Sequence, residues 1–255
     1  MQVASADGTL LHVESTGSGT TALVCAHGWM GNVRWWDAVR DALATSYQIV
    51  TFDLAGHGAS ARRARPSSEG YAADIVAAVR ATTSQVERIV LVGHSMSGVY
   101  VLLAAPHIER LAQIVLVDTL KNLDQLPTLA QVEPILAGYR QDYATAVRTM
   151  MPRYLFTPQT PAPVVDRLTR EFLGVTGDVA AELLLPLYDT DPRAAARAVR
   201  VPVRAIGGDG GDGASLAVNR TYFADYDYVA LPGCGHYPML ERPEDFTAAL
   251  RASLQ

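Results

Sequence analysis

The stretch RIVLVGHSMSG at positions 88–98 decides how the rest of this 255-residue chain is read. Five residues, four of them apolar, look like a buried strand, and the residues after Ser95 begin a helical pattern, MSGVYVLLAAPH (96–107). Between them, small residues at Gly93, Ser97 and Gly98 let a strand and a helix approach closely around one tight turn. Such a turn lifts the Ser95 hydroxyl out of the core and aims the amides of the new helix at developing negative charge. Serine also serves commonly as a plain helix cap. The chemical reading therefore needs a base, an acid and an oxyanion site elsewhere in the chain.

Outward from this turn, short apolar runs alternate with helical segments. LLHVEST (10–16), TALVCAH (21–27), YQIVTFD (47–53), RIVLVG (88–93) and QIVLVD (113–118) read as strands. WWDAVRDALAT (35–45), EGYAADIVAAVRATTSQ (69–85) and the 96–107 segment read as the helices between them. Runs this short and apolar belong to a mostly parallel sheet covered on both faces. The rhythm stops over residues 119–199, where no strand pattern is visible. Helical stretches such as DYATAVRTMM (142–151), VVDRLTREFL (164–173) and DVAAELLLPLY (178–188) are punctuated by prolines there. VPVRAIG (201–207) and YDYVALPG (226–233) resume the sheet, and a helix from about Pro243 to Ser253 closes the chain. The expected organisation is a core of residues 1–118 and 200–255 carrying a helical cap insertion at 119–199.

The candidate base is His236, in LPGCGHYPMLERPEDF (231–246), a glycine-flanked loop after the last strand, where sites of open α/β sheets gather. His12 lies in an early strand, His57 in a loop and His107 at a helix end. His94 is expected to project away from the turn, and His27, at a strand end, to serve a structural hydrogen bond. In CAHGWMG (25–31), Gly28 lets the backbone turn so that the Trp29 amide faces inward. Paired with the Met96 amide, it forms a candidate oxyanion hole.

Four segments in this order, HGW (27–29), DLAGHGAS (53–60), GHSMSG (93–98) and GCGHYPMLERPEDF (233–246), make the chain resemble the α/β-hydrolase fold superfamily, in its serine esterase, lipase-like and C–C hydrolase group. The resemblance runs from about residue 13 to 254. It implies an α/β fold with a mostly parallel eight-stranded sheet, one strand antiparallel near the N-terminus, and a helical cap between strands six and seven. It also implies acyl transfer to Ser95, with His236 as the general base. The elbow departs from G-x-S-x-G in holding Ser97 at the second glycine's place. For the acid, relatives point to the end of strand seven, here Asp209 or Asp212 in IGGDGGDG, or to the end of strand six, here Asp118. Asp118 follows an apolar strand directly, whereas Asp209 and Asp212 lie in a glycine-rich loop. Ser95 in place of an aspartate argues against dehalogenation.

Asp53, Gly56 and Gly58 fit turn geometry better than catalysis or phosphate binding, and Cys25 and Cys234 fit small apolar filling. Trp29, Met96, Trp35, Trp36 and Tyr237 are the candidate pocket residues. The formal charge of −5, without a basic block, makes nucleic acid a poor partner. No histidine–acid spacing of a metal site appears, so no metal or other cofactor is expected. With no signal-like or membrane-length apolar run, the expectation is a cytoplasmic monomer or homodimer, without a membrane, acting on a small apolar carboxylic ester or lactone. The same fold also hosts C–C hydrolases, cyclising and decarboxylating enzymes, and non-enzymatic receptors or ligand binders.

Overall fold

The structure is a computed structural model that describes residues 1–208 and 215–254. The apolar runs form a single sheet of β1 (Gln2–Ala4), β2 (Leu10–Thr16), β3 (Thr21–Ala26), β4 (Gln48–Phe52), β5 (Arg88–His94), β6 (Leu111–Val117), β7 (Val203–Gly208) and β8 (Tyr226–Leu231). Their spatial order is β1-β2-β4-β3-β5-β6-β7-β8. Only β2 runs against the rest, pairing antiparallel with both β1 and β4. The fold is thus the mostly parallel eight-stranded α/β sheet that the sequence implies. β1, three residues long, is too short for its alternation to show in the sequence.

The strands β3, β5 and β6 are apolar on both faces because both faces are covered. Ile89, Val90, Leu91 and Val92 of β5 are all buried, and each such side chain contributes about 1.5–3 kcal/mol relative to exposure. The chain steps from β3 to β4 in one direction, through α1 (Asp37–Leu43). It then returns past β3 to β5 through α2 (Ser68–Thr82), and on to β6 through α3 (Ser97–Ala104). Right-handed crossovers therefore put α1 on one face and α2 and α3 on the other. α2 packs on α3, and α1 packs on the C-terminal helix.

The register of the central strands positions the site. Ala26 pairs with Gly93 across β3 and β5, His94 with Val117 across β5 and β6, and Val117 with Ile206 across β6 and β7. The chain leaves β3, β5, β6 and β7 at nearly one level, so the residues just beyond those strands meet at one edge of the sheet.

Residues between β6 and β7 contain α4 (Leu129–Thr145), α5 (Pro152–Leu155), α6 (Ala162–Phe172), α7 (Gly177–Tyr188) and α8 (Arg193–Ala198), with no strand among them. The last part of the chain adds α9 (Leu216–Asn219), α10 (Pro238–Glu241) and α11 (Pro243–Ser253). The expected helix at 142–151 is broken. Asp142 leaves helical geometry (φ −149°, ψ 78°), its carboxylate accepts from the Thr145 amide at 3.0 Å, and Ala146–Met150 form a wide π-type turn. An aspartate that caps its own downstream turn competes with the helix it interrupts. Among the described residues, no helix is long and apolar enough to cross a membrane.

Candidate active site

Ser95 follows β5 with a left-handed backbone, φ +53°, a conformation that a non-glycine residue adopts only where its surroundings impose it. Two constraints do so here. The Ser95 amide donates to Val117 O at 3.0 Å, and the Gly98 amide donates back to Ser95 O at 2.9 Å. Ser97, the departure from the double-glycine elbow, has a specific partner: its hydroxyl donates to His27 O at 2.5 Å, tying the elbow to the loop after β3. The need for a glycine falls one position later. A Cβ on Gly98 would lie 2.3 Å from Thr119 Cγ2, inside van der Waals contact.

Three side chains line up across the sheet edge. The Ser95 hydroxyl is 2.9 Å from His236 Nε2, and His236 Nδ1 is 2.7 Å from Asp118 Oδ2. Asp118 is held from every side. Its amide donates to Ile206 O at 2.8 Å, while its Oδ1 accepts from the Gly208 amide at 3.0 Å and pairs with the Lys121 ammonium at 3.0 Å. Burial works to raise the Asp118 pKa, but the His236 hydrogen bond and Lys121 outweigh it and hold the carboxyl at about 2. Asp209 and Asp212 lie outside the described residues.

His236 sits in a loop clamped by a residue that the sequence reading overlooked. The buried Glu241 carboxylate accepts from the Gly235 and Tyr237 amides, each at 2.9 Å, and from the Thr160 hydroxyl at 2.7 Å. An acid five residues after the histidine, within ERPEDF, was the available signal. The His236 amide itself donates to Leu155 O at 2.9 Å, so the insertion also holds this loop.

His94 corrects the expectation that it points away. It is fully buried, and its Nε2–H donates to the His236 carbonyl at 2.8 Å. Among the described residues its Nδ1 has no hydrogen-bond partner; it faces Gly28, where a Cβ would stand only 2.6 Å away. His94 therefore bridges the elbow, the His236 loop and the loop after β3, and only glycine fits opposite it. His27 donates from Nδ1 to Gly28 O at 2.7 Å and accepts the Leu54 amide at Nε2, 3.1 Å away. Both ring nitrogens are engaged, as a structural histidine requires. Asp53 accepts from the Val33 and Ala59 amides at 2.7 and 2.8 Å, bracing the turns on either side.

Burial pushes the imidazoles of His27, His57 and His94 down to about 4, 3 and 3. In the unfolded chain each protonates near 6.5, so the unfolded state binds more protons as pH falls below that value. Stability should then drop from about pH 6.5 toward 4, by about 1.4 kcal/mol per pH unit for each histidine. Urea midpoints measured at half-unit steps check this, and a midpoint unchanged between pH 7 and 5 would contradict it.

The Ser95 hydroxyl opens into a cavity of about 380 Å³ whose wall includes Trp29, His94, His236 and Tyr237 from the core, and Val132, Tyr139, Leu184 and Tyr188 from the insertion. A larger, more open groove of about 730 Å³ runs between β1 and α2, past Val3 and Arg80, but Ser95 is not in its wall. Size alone does not select the site; the paired serine and histidine do.

Of the candidate pocket residues, Trp29 and Tyr237 line the Ser95 cavity, and the Trp29 indole stacks on Tyr139 and donates to Ala180 O at 2.9 Å. Trp35, Trp36 and the Met96 side chain do not line it. Trp35 stands one layer behind, edge-on to His94 and Tyr237, with its Nε1–H on Glu171 at 2.8 Å. Trp36 packs on Phe246 of α11. Both tryptophans are wholly buried because the short helical turn Val33–Trp36 directs them inward. Among the described residues, the Trp29 and Met96 amides donate to no protein acceptor. No group of three or more His, Cys, Asp or Glu side chains there is arranged to hold a metal.

Known proteins share this architecture. A model of the alpha/beta hydrolase family matches residues 23–250. The chain is 28% identical to the pimeloyl-[acyl-carrier protein] methyl ester esterase of Nitrosomonas europaea, over 95% of this chain and 98% of that protein. The protein of the same name from Xanthomonas campestris is 29% identical, over 94% and 97%. An esterase from Exiguobacterium antarcticum superposes with a TM-score of 0.87 at 19% identity, covering 100% of this chain and 98% of that one. An enol-lactonase from Burkholderia xenovorans gives 0.84 at 22%, covering 100% and 99%. With the family match spanning most of its length, the chain belongs to the alpha/beta hydrolase family.

Proposed function

We propose that this protein is a serine hydrolase that cleaves an uncharged carboxylic ester or lactone through an acyl-enzyme on Ser95. The observation that carries the reading is the unbroken hydrogen-bonded line Ser95–His236–Asp118 at the wall of one apolar cavity. Ser95 Oγ attacks the ester carbonyl carbon while its proton passes to His236 Nε2. Asp118 keeps the Nδ1–H tautomer and stabilises the imidazolium. The carbonyl oxygen, now an oxyanion, is taken by the uncommitted amides of Trp29 and Met96. The tetrahedral adduct collapses, the alcohol leaves with the His236 proton, and a water activated by the same nitrogen hydrolyses the acyl-enzyme.

The direct test is a fluorophosphonate probe read by intact-protein mass. One adduct is expected on the native protein and none on Ser95→Ala. Equal labelling of both proteins would refute a Ser95 nucleophile. A panel of esters, lactones and vinylogous diketones then separates ester cleavage from C–C cleavage on the same serine. A ligand-binding member of the fold would leave the whole panel untouched. The proteins named pimeloyl-[acyl-carrier protein] methyl ester esterase, similar along nearly the whole chain, favour a second, narrower reading: the methyl ester of an acyl group borne by a carrier protein. Methyl esters therefore belong in that panel.

His94 is a positioning residue in this scheme. His94→Phe keeps the ring's packing and removes the donor to the His236 carbonyl. We expect kcat to fall about 10–100-fold with KM little changed, because a displacement on the order of 1 Å carries a penalty of that size. His94→Gln, which retains a donor, should recover part of the loss. A uniform fall in stability with kcat intact would assign His94 to packing alone.

A further inference from the structure

The wall of the Ser95 cavity changes character along its depth. Near its base stand buried apolar side chains, Val132, Tyr139, Met151 and Leu184, each less than 10% exposed. At its edge stand Ile135, Met150 and Tyr154, exposed by 42, 46 and 81%. Among the described residues only six large hydrophobic side chains are this exposed, and these three share one cavity. Water is a poor neighbour for them, and an exposed apolar patch on a soluble fold commonly marks a binding surface. Among the described residues, the wall contains no Lys, Arg, Asp or Glu. Glu133, Arg148 and Arg153, within two positions of Ile135, Met150 and Tyr154 in the chain, stay outside it. The wide turn at Ala146–Met150 is the element that delivers Met150 to the edge, and such turns recur at functional sites.

We propose that Ile135, Met150 and Tyr154 form an outer acyl subsite, so that the substrate is an ester with an uncharged aliphatic chain long enough to reach from Ser95 to the rim. This rests on the serine hydrolase reading above. The inner cavity takes the segment next to the scissile carbonyl, and the distal methylenes lie across the rim. Met150, an adaptable thioether, follows chains of different shape. A terminal carboxylate would have to shed water against three apolar side chains with no cation in the wall, so ω-carboxylated chains are disfavoured.

The experiment is a series of 4-nitrophenyl alkanoates from acetate to dodecanoate, held below their critical micelle concentrations, with a matched ω-carboxylated series. It is run on the native protein and on the triple variant Ile135→Ser, Met150→Gln, Tyr154→Ser. Fluorophosphonate labelling of Ser95 is measured in both preparations. In the native protein, kcat/KM should climb about fourfold per methylene and continue to climb past the length at which the triple variant levels off. The ratio of decanoate to butyrate kcat/KM should fall at least tenfold in the variant, and the neutral chain should lead its ω-carboxylated match. A superimposable length profile in the two proteins, with Ser95 still labelled, overturns the outer subsite alone. Sedimentation that shows the variant dissociating from a dimer while the length profile persists also overturns it, assigning the patch to a contact between copies. Absence of labelling and turnover in the native protein removes the catalytic reading, and the subsite falls with it.

Discussion

Ser95→Ala and His236→Ala are each expected to lower turnover by about 10⁶-fold, and the double variant by no more than either alone. Side chains that act as one unit lose their joint contribution when any key member is removed. Here the unit is visible as geometry: His236 Nε2 has Ser95 Oγ as its partner at 2.9 Å, and without the hydroxyl the imidazole has no proton to accept. What should survive is a residual rate over water, from the Trp29 and Met96 amides and the apolar cavity, on the order of 10³–10⁴ in related triads. Ser95→Ala should leave the thermal midpoint nearly unchanged, whereas His236→Ala removes the hydrogen bond that offsets burial at Asp118 and should lower it. Pre-steady-state kinetics on the best ester, with circular dichroism as the fold control, check this. Additive losses in the double variant would mean that the two residues work separately.

Asp118→Asn should reduce kcat by about 10⁴-fold in folded protein, the loss seen when a triad acid is replaced by its amide. The cause is specific. The carboxylate accepts the His236 Nδ1–H at 2.7 Å and so leaves Nε2 bare to face Ser95. An asparagine amide turned toward the ring would donate instead, reversing the tautomer. It would also leave the Lys121 ammonium, now 3.0 Å from Oδ1, without its counter-charge. Asp209→Asn and Asp212→Asn, by contrast, should retain most of the native rate. A collapse of activity in either of these with Asp118→Asn still active would transfer the role to the segment after β7.

The elements legible in the sequence were those whose residue types are forced by local geometry. The apolar runs at 88–92 and 113–117, the small residues around Ser95 and the glycines around His236 all answer to strand burial or tight turning, and the structure has its strands and loops at those places. The start of the C-terminal helix, at Pro243, could be read because proline marks its first turn. What escaped was set by tertiary contact. A fully buried histidine such as His94 carries no local sign of which carbonyl it will meet 142 positions away. Trp35 and Trp36 invite assignment to a pocket because they are large and near the Gly28 turn, yet burial of so large a side chain is at least as well met behind a wall as in it. In the insertion, apolar residues occur on several faces of short helices. Nothing local distinguishes Ile135, at the cavity edge, from Leu136, which is buried and not in the cavity wall.

The position of Asp118 at the end of β6 bears on how this protein can be recombined with its relatives. Residues 119 and onward lead directly into the insertion, and Lys121, on that outgoing segment, is paired with Asp118. Thr119 also fills the space over Gly98. A chimera that exchanges the insertion at residue 119 would replace both contacts along with the helices, whereas a junction placed after Asn122 carries Asp118, Thr119 and Lys121 together. Midway through the insertion, in α5, the Leu155 carbonyl accepts from the His236 amide, so an imported insertion must present an acceptor at that place. Under the proposed mechanism, an exchanged insertion keeps Asp118 in its place only along seams that respect the contacts of Asp118 and Gly98 with Lys121 and Thr119.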